Sequence, residues 1–446
     1  MVRWRLKAAR HIALALTLAM ALVASTLAPA SAMGLRDAEI EELMRDYTHP
    51  LMVAAGLNPD AVGLTLINDR NLNAFVAMGQ NIFINTGLIL EAEQPNMVIG
   101  VMAHEIGHIT GGHLARNMDA LSRTKGPAVL ATILGFGSML AGNAEAGIAL
   151  ITGGQQVSQR MYLTHSRAQE ASADVTALQL LEATGQSPNG IVEMMDNLAT
   201  QEILNEVYQD PYARSHPVSR ARFNAYLEAA SKSPYADTPD SDEMIFRHKM
   251  VQAKILGFTD DPEVTFRRYP NEDTKPAIYA RAIAMHRQAR LDESLALIDR
   301  LIADDPDNAY FYELKGQVYY ESGRPHDGLA PYKKALSLKP DEPLLLIGLA
   351  MCQISTGTHG GEINHTAIGN LRTALRHDPQ NGGAYRQLSK AYGQLQKVAY
   401  AEWALAEYYA LSGRPAAKKH ARKAMRGLPE SSVEYLRARD ILAAEF

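Results

Sequence analysis

The spacing of apolar positions changes along the N-terminal part of the chain, and each change predicts a structural element. From Ala38 to Val53 the apolar residues recur at helical spacing, and the segment "AGLNPD" ends that run. Two β-rich runs follow, "VGLTLIND" and "LNAFVAMGQNIFINTGLI", with turn-forming residues at 68–69 and 79–81. The pattern therefore predicts a helix followed by a small sheet with at least one hairpin.

A second group of helices follows the predicted sheet. One helix starts near Pro95 and carries the apolar run "VIGVMA" and then "HEIGH", while Gly111 and Gly112 oppose its continuation. Residues 166–206 and 219–231 also have helical spacing. Helices and a small sheet together predict a mostly α-helical first domain.

A polar, proline-bearing stretch, "SKSPYADTPDSDE", follows these helices. It predicts that the first domain covers 33–235, and few contacts are expected to cross such a segment. A helical linker, 236–274, then leads to the last part of the chain.

The last part of the chain has an internal repeat. Pro306 and Pro340 are 34 residues apart, which is the tetratricopeptide period. When Ala309 is repeat position 1, Gly316 and Tyr332 fall at positions 8 and 24, where small and aromatic residues recur in such repeats. Residues 275–446 are therefore predicted to form an α-helical tetratricopeptide-repeat solenoid, whose concave groove can hold extended chains.

The first 32 residues have the composition of a secretory signal peptide. Four basic side chains precede an apolar stretch, and "ASA" ends at Ala32, where cleavage is expected. Without this segment the formal net charge changes from −5 to −9, so a nucleic-acid partner is not indicated. Cys352 is the only cysteine, so an intramolecular disulfide is excluded.

Residues 128–153 are small, apolar and rich in glycine. The first apolar run is too short for an ordinary membrane span of about 20 residues. Two interpretations stay open: a helical pair packed in the core, or a lid beside the active site that makes peripheral contact with a membrane or an apolar partner.

The sequence "HEIGH" has the spacing of a metal-binding helix. His104 and His108 lie one helical turn apart, so both imidazoles can face one ion, and Glu105 can reach a water beside it. A third ligand is required. A continued helix would place His113 on the face opposite His104, so His113 is expected at the helix end or the surface. The alternative ligands are Glu170 and Asp174, spaced i, i+4 on a later helix.

Four ordered segments, "LNAFVAMGQNIFINTGLI", "HEIGH", "QEASAD" and "SHPVSRAR", give the sequence a family resemblance. The chain resembles gluzincin metallopeptidases of the CAAX prenyl protease and HtpX-like family, and is similar to the periplasmic members that carry C-terminal tetratricopeptide repeats. The resemblance implies one zinc ion per chain, bound by His104, His108 and Glu170. It also implies that Glu105 is the catalytic base and that Asp174 supports a ligand histidine.

The same resemblance gives roles to two residues of "SHPVSRAR". His216 would lie near the metal and could occupy its open coordination position as a latch. Either His216 or Arg222 could instead stabilise the oxyanion of the reaction. The sequence alone does not choose between these roles.

The sequence also gives expectations for the substrate contact and for the cellular role. The strand that begins at Asn73, Ala74 and Phe75 is a candidate for holding an extended peptide by strand addition. The predicted function is a periplasmic zinc endopeptidase with a chaperone-like role, which degrades or assists misfolded outer-membrane proteins. Its predicted partners are unfolded or misassembled outer-membrane proteins and, through the repeats, the outer-membrane assembly machinery. The competing hypothesis is a periplasmic chaperone or scaffold with latent or minor proteolysis.

Overall fold

The computed structural model describes residues 34–117, 167–204, 216, 220–357 and 362–445. The predicted signal peptide, 1–32, and the glycine-rich segment, 128–153, lie outside these residues. The described part is mostly helical with one small sheet, which confirms the predicted fold class. Within it, no helix combines the length and apolar character that a membrane span requires.

The described part of the chain up to Lys232 contains six α-helices and three strands. They are α1 (Ala38–Ala54), β1 (Gly63–Ile67), β2 (Ala74–Ala77), β3 (Asn81–Asn85), α2 (Thr86–Glu91), α3 (Pro95–Thr110), α4 (Arg167–Ala183), α5 (Asn189–Leu204) and α6 (Arg220–Lys232).

The three strands form a sheet in the order β1-β3-β2. β2 and β3 are the predicted hairpin, and β1 pairs with β3 in parallel. Met78 and Gly79 have φ values of 51° and 92° at the hairpin turn, a backbone conformation that glycine adopts without strain. β2 is therefore an edge strand of this sheet, although all four of its residues are buried.

Helix α3 lies at the centre of the N-terminal core, and glycines let other helices approach it closely. A Cβ atom on Gly107 would lie 2.8 Å from the carbonyl oxygen of Ala173 in α4, and one on Gly100 would lie 2.9 Å from Ile191 in α5. Side chains at these two positions would push both neighbouring helices away. Glycine at 107 thus lets α4 pack where its acidic side chains reach the histidines of α3.

Most of the remaining helices pack against the next helix along the chain. They are α7 (Asp242–Thr259), α8 (Pro262–Arg268), α9 (Lys275–Arg287), α10 (Leu291–Asp304), α11 (Ala309–Glu321), α12 (Pro325–Leu338), α13 (Pro343–Thr356), α14 (Glu362–His377), α15 (Gly382–Gln394), α16 (Val398–Leu411), α17 (Ala416–Met425) and α18 (Val433–Ala443).

The repeat spacing has a direct packing explanation. The ring of Tyr332 fills the space that a Cβ atom would need at Gly316, 2.6 Å from a ring atom, and at Gly348, 2.3 Å from one. One glycine on the helix before and one on the helix after thus accommodate the buried aromatic ring of α12. This contact explains why small and aromatic residues recur at fixed positions of the repeat.

The predicted linker is part of the core, and the expectation of few contacts across it is wrong. Val251 and Ile255 of α7 are buried in the hydrophobic cluster of the N-terminal part. His248 places Nδ1 3.1 Å from the hydroxyl of Tyr47 in α1, and its Nε2 lies 3.0 Å from the carbonyl oxygen of Ala92. The boundaries at 235 and 274 stay a prediction, but α7 cannot be an exposed connector.

The repeat helices also contact α1 directly. Tyr279 of α9 donates a hydrogen bond to Glu39, and Lys339 forms an ion pair with Glu42 at 2.8 Å. Arg36, just before α1, pairs with Asp378 after α14 at 2.7 Å. Helix α1 is therefore shared between the sheet-bearing part and the repeats.

Candidate metal centre

The two histidines of α3 lie next to each other on one buried face of the helix. Their Nε2 atoms are 3.0 Å apart, and both side chains are almost completely excluded from solvent. This is the arrangement expected for residues spaced i, i+4 on a helix. His104 and His108 thus direct one ring nitrogen each toward a common point.

Helix α4 brings Glu170 to the same point. One carboxylate oxygen, Oε2, lies 3.4 Å from Nε2 of His104, and the other, Oε1, lies 3.4 Å from Nε2 of His108. His216 approaches from a third direction, with its Nδ1 3.3 Å from Nε2 of His104 and 3.2 Å from Oε1 of Glu170. One donor atom from each of these four residues lies within 4.8 Å of the others.

The donor set and its spacing fit a tetrahedral metal ion. Zinc binds imidazole nitrogen and carboxylate oxygen at roughly 2.0–2.2 Å, so neighbouring donors of a tetrahedral site are about 3.3–3.6 Å apart. Five of the distances between these donors run from 3.0 to 3.4 Å, with Oε2 of Glu170 facing His104 and Oε1 facing His108 and His216. Because the lone pairs of ring nitrogens and a carboxylate point toward one another, a bound cation is the natural occupant.

A buried network of charged side chains contacts two of the four donor residues, His104 and Glu170. Asp174 lies one turn after Glu170 and places Oδ1 3.0 Å from Nδ1 of His104. Arg222 donates to both carboxylate oxygens of Asp174 at 2.7 Å and lies 2.8 Å from Oε2 of Glu170, while Tyr226 donates to Asp174 at 2.8 Å. The predicted oxyanion candidate Arg222 is therefore committed to two carboxylates.

The charges of this network shift the protonation equilibria. Without a metal, burial opposes protonation of His104, but Asp174 and Glu170 outweigh it and raise the pKa of His104 to about 9. Burial alone would raise the pKa of Asp174, yet Arg222 and His104 lower it to about 2. The pKa of Glu170 is likewise held below its ordinary value, against burial, by His216 and His104. Both carboxylates are thus ionised at neutral pH.

Glu105 is buried beside the ligands but is separate from the four donors. Its Oε1 lies 3.4 Å from Nε2 of His216, and its side chain is inaccessible to solvent. Burial raises the pKa of Glu105, and the nearby rings of His216 and His104 oppose that rise. A carboxylate with a raised pKa beside a metal site is suited to accept and release a proton.

His113 lies just past the end of α3, which is one of its two expected positions, but it is not at the surface. Helix α3 ends at Thr110, and Gly112 has a φ of 60°, so the helix does not continue to His113. The ring is only 1% exposed, and its Nδ1 lies 2.9 Å from Nδ1 of His108. Extrapolating a continuous helix placed this residue on the wrong face, and the Gly-Gly pair was the sequence signal that could have corrected it.

The candidate substrate strand lies beside the metal cluster. β2 packs against α3, which brings the backbone of Val76 close to the carboxyl group of Glu105. Asn73, just before β2, is buried, and its Oδ1 has no hydrogen-bond partner among the residues that the structure describes. The edge strand and the proposed base are thus held together.

The fold and this donor set define a metallopeptidase, and comparison with known proteins agrees. Residues 14–230 match the model of peptidase family M48. The matched segment contains all four donor residues, and the chain is a metalloprotease.

The similarity to known proteins extends beyond the peptidase domain. The beta-barrel assembly-enhancing protease of Escherichia coli strain K12 is 26% identical over 360 residues, which cover 78% of this chain and 71% of that protein. The Yersinia pestis protein of the same name is 24% identical over 359 residues, with the same coverage. The metalloprotease LoiP of E. coli is 30% identical over 169 residues, 37% of this chain and 62% of that protein.

Proposed function

We propose that this protein is a zinc-dependent endopeptidase of the periplasm that acts on unfolded or misassembled outer-membrane proteins. The observation that carries the proposal is the convergence of His104, His108, Glu170 and His216 within 4.8 Å beside the buried carboxylate of Glu105. The names of the relatives support a role in outer-membrane protein assembly. The signal-like pattern of residues 1–32 supports export.

The proposed ligands are His104, His108 and Glu170, with one zinc ion per chain. When bound, zinc supplies Lewis acidity, which makes water a better nucleophile and polarises the scissile carbonyl. Glu105 is placed to take a proton from the attacking water and to return it to the leaving amine. The Nδ1–H of His104 faces the carboxylate of Asp174. Asp174 therefore keeps the His104 ring in the orientation that directs Nε2 toward the other donors.

Arg222 has a positioning role in this proposal. Its guanidinium contacts Asp174 in a bidentate manner and also reaches Glu170, so it holds both carboxylates of α4 in one orientation. A side chain that already donates to two carboxylates is poorly disposed to leave them for an oxyanion.

His216 supports a latched resting state. Its Nδ1 lies among the donors, and its Nε2 faces Glu105, so one side chain takes both the fourth coordination position and the neighbourhood of the base. This arrangement favours low basal proteolysis. It also supports the second candidate function, a chaperone or scaffold whose proteolysis is latent until His216 moves.

The substrate would enter as an extended segment. β2 is the edge strand nearest to Glu105, so the backbone of Asn73 and of Ala74 and Phe75 in β2 is the proposed partner of a substrate strand. Strand addition requires unpaired backbone in the substrate, which favours unfolded chains. The repeats are the proposed contact with the assembly machinery, because stacked helix pairs provide a groove for extended segments.

The experiment compares the purified mature protein with Glu105→Gln. Metal content is measured together with degradation of casein and of an unfolded outer-membrane protein. We expect about one zinc ion in both proteins and cleavage by the wild type alone. Cleavage by Glu105→Gln at the wild-type rate would overturn the assigned base. Rescue of outer-membrane assembly by Glu105→Gln in cells that lack the protein would favour the scaffold function.

A further inference from the structure

The histidine nearest to the metal ligands has no role in the mechanism above. His113 is buried, and its ring packs edge-on against that of His108, with ring centroids 4.9 Å apart. Its Nδ1 is 2.9 Å from Nδ1 of His108, a hydrogen-bond distance. The contact is therefore with the ring nitrogen of His108 that faces away from the other ligands.

The chemistry of imidazole fixes the direction of this hydrogen bond. Nε2 of His108 faces His104 and Glu170, so it must present a lone pair to a cation, and the ring proton must be on Nδ1. That proton points at Nδ1 of His113, which accepts it and carries its own proton on Nε2. We propose that His113 is a positioning residue, which holds the His108 ring in the tautomer and orientation that metal binding requires.

The proposal gives the two ligand histidines different supports. His104 has the carboxylate of Asp174 at its Nδ1, whereas His108 has a neutral imidazole at the equivalent atom. Metal-bound histidines generally donate their second N–H to such a partner, and loss of that partner weakens metal binding. The inference rests on the metal site of the proposed function and adds a determinant of its affinity.

The backbone around His113 is shaped for this contact. Gly111 has φ −66°, which any residue can adopt, but a Cβ atom there would lie 2.4 Å from Nε2 of His113. On the other side, Gln169 donates to the side chain of Asn117 at 2.8 Å and lies 3.5 Å from the carbonyl oxygen of His113. The residue before the ligand Glu170 thus fastens the segment that carries His113.

The test measures zinc affinity of the full mature chain by competition with a chromophoric chelator. We expect His113→Ala and Gly111→Ala to weaken zinc binding about 10- to 100-fold. His113→Asn should stay close to the wild type, because its Oδ1 can accept from Nδ1–H of His108. Thr110→Ala is the matched control, since its hydroxyl bonds only to carbonyl oxygens of α3 among the described contacts, and it should bind as the wild type does.

Each outcome decides a separate point. Wild-type affinity in His113→Ala would overturn the positioning role, and equal losses in the Ala and Asn variants would show that ring volume matters rather than the hydrogen bond. A wild type without zinc affinity would instead overturn the metal site of the proposed function, and this inference with it. If His113→Ala does not fold, nitrogen-15 spectra of the histidine-labelled, zinc-loaded wild type give the tautomer of His113 instead. A proton on Nδ1 of His113 would contradict the proposal.

Discussion

The Nε2 atom of His216 lies 3.4 Å from Oε1 of Glu105, while its Nδ1 lies 3.2 Å from the ligand Glu170. One imidazole therefore bridges the base and the metal donors. Under the proposed mechanism both ring nitrogens face groups that catalysis needs, so this geometry would be the closed state. We therefore expect that His216 must move before the protein can cleave a substrate.

Substitution of His216 by Ala should therefore increase cleavage. The change removes the fourth donor and frees the surroundings of Glu105, while His104, His108 and Glu170 keep the metal. Self-cleavage or degradation of an unfolded substrate, measured with zinc content, checks the prediction. The double variant His216→Ala/Glu105→Gln is the control and should be inactive. Turnover reduced by about 10²–10³-fold with zinc retained would instead indicate oxyanion stabilisation by His216.

Metal content distinguishes the third ligand from a residue that only supports a ligand. Glu170→Ala removes a donor, so it should abolish stable zinc binding, whereas His113→Ala removes only the support of a donor and should keep part of the affinity. Zinc per chain after dialysis against a weak chelator gives the comparison. Equal loss in the two variants would show that Glu170 is not the third ligand.

Arg222→Lys distinguishes positioning from transition-state stabilisation. Lysine keeps the charge but cannot reproduce the bidentate contact with Asp174, so α4 should hold Glu170 less rigidly and zinc affinity should fall about 10-fold or more. Affinity is measured by chelator competition, with the exposed Arg220→Lys as control. Unchanged affinity with a large loss of turnover would return Arg222 to the role of an oxyanion donor.

Local pattern was sufficient to predict much of the site. His104 and His108 share a helix face because they are four residues apart, and Glu170 and Asp174 share another for the same reason. The hairpin was readable from alternating β-rich runs and their turn residues. Periodicity reports which face a residue occupies, whereas the choice of Glu170 as third ligand and the expected place of His216 came from the family resemblance.

Local pattern could not predict features that depend on where a helix ends or on contacts between distant segments of the chain. His113 was misplaced because the helix ends at Thr110 and the backbone of Gly112 turns into the left-handed region. The pairing of Glu39 with Tyr279 joins positions 240 apart in the chain, and no local pattern marks either residue as a partner. The packing of α7 into the peptidase core was missed for the same reason.

The last prediction concerns the joint between the peptidase part and the repeats. Lys254 of α7 is 2% exposed, and its Nζ lies 2.8 Å from Asp37, 3.2 Å from Glu39 and 3.4 Å from Glu313 of α11. Burial opposes the charge of Lys254, but the surrounding carboxylates raise its pKa well above the ordinary value. The ammonium group thus neutralises carboxylates from both parts of the chain.

Lys254→Met should destabilise the whole molecule rather than the repeats alone. The methionine leaves the three carboxylates facing one another, and loss of one partner from a buried ion pair costs about 3–5 kcal/mol. Thermal unfolding of the metal-loaded protein, followed by circular dichroism, should show one transition at a lower temperature. Lys232→Met is the matched control, because Lys232 pairs with Glu228 on the surface, where such pairs contribute about 0–1 kcal/mol. If both variants melt as the wild type does, or if Lys254→Met splits the transition in two, α7 does not join the two parts into one cooperative unit.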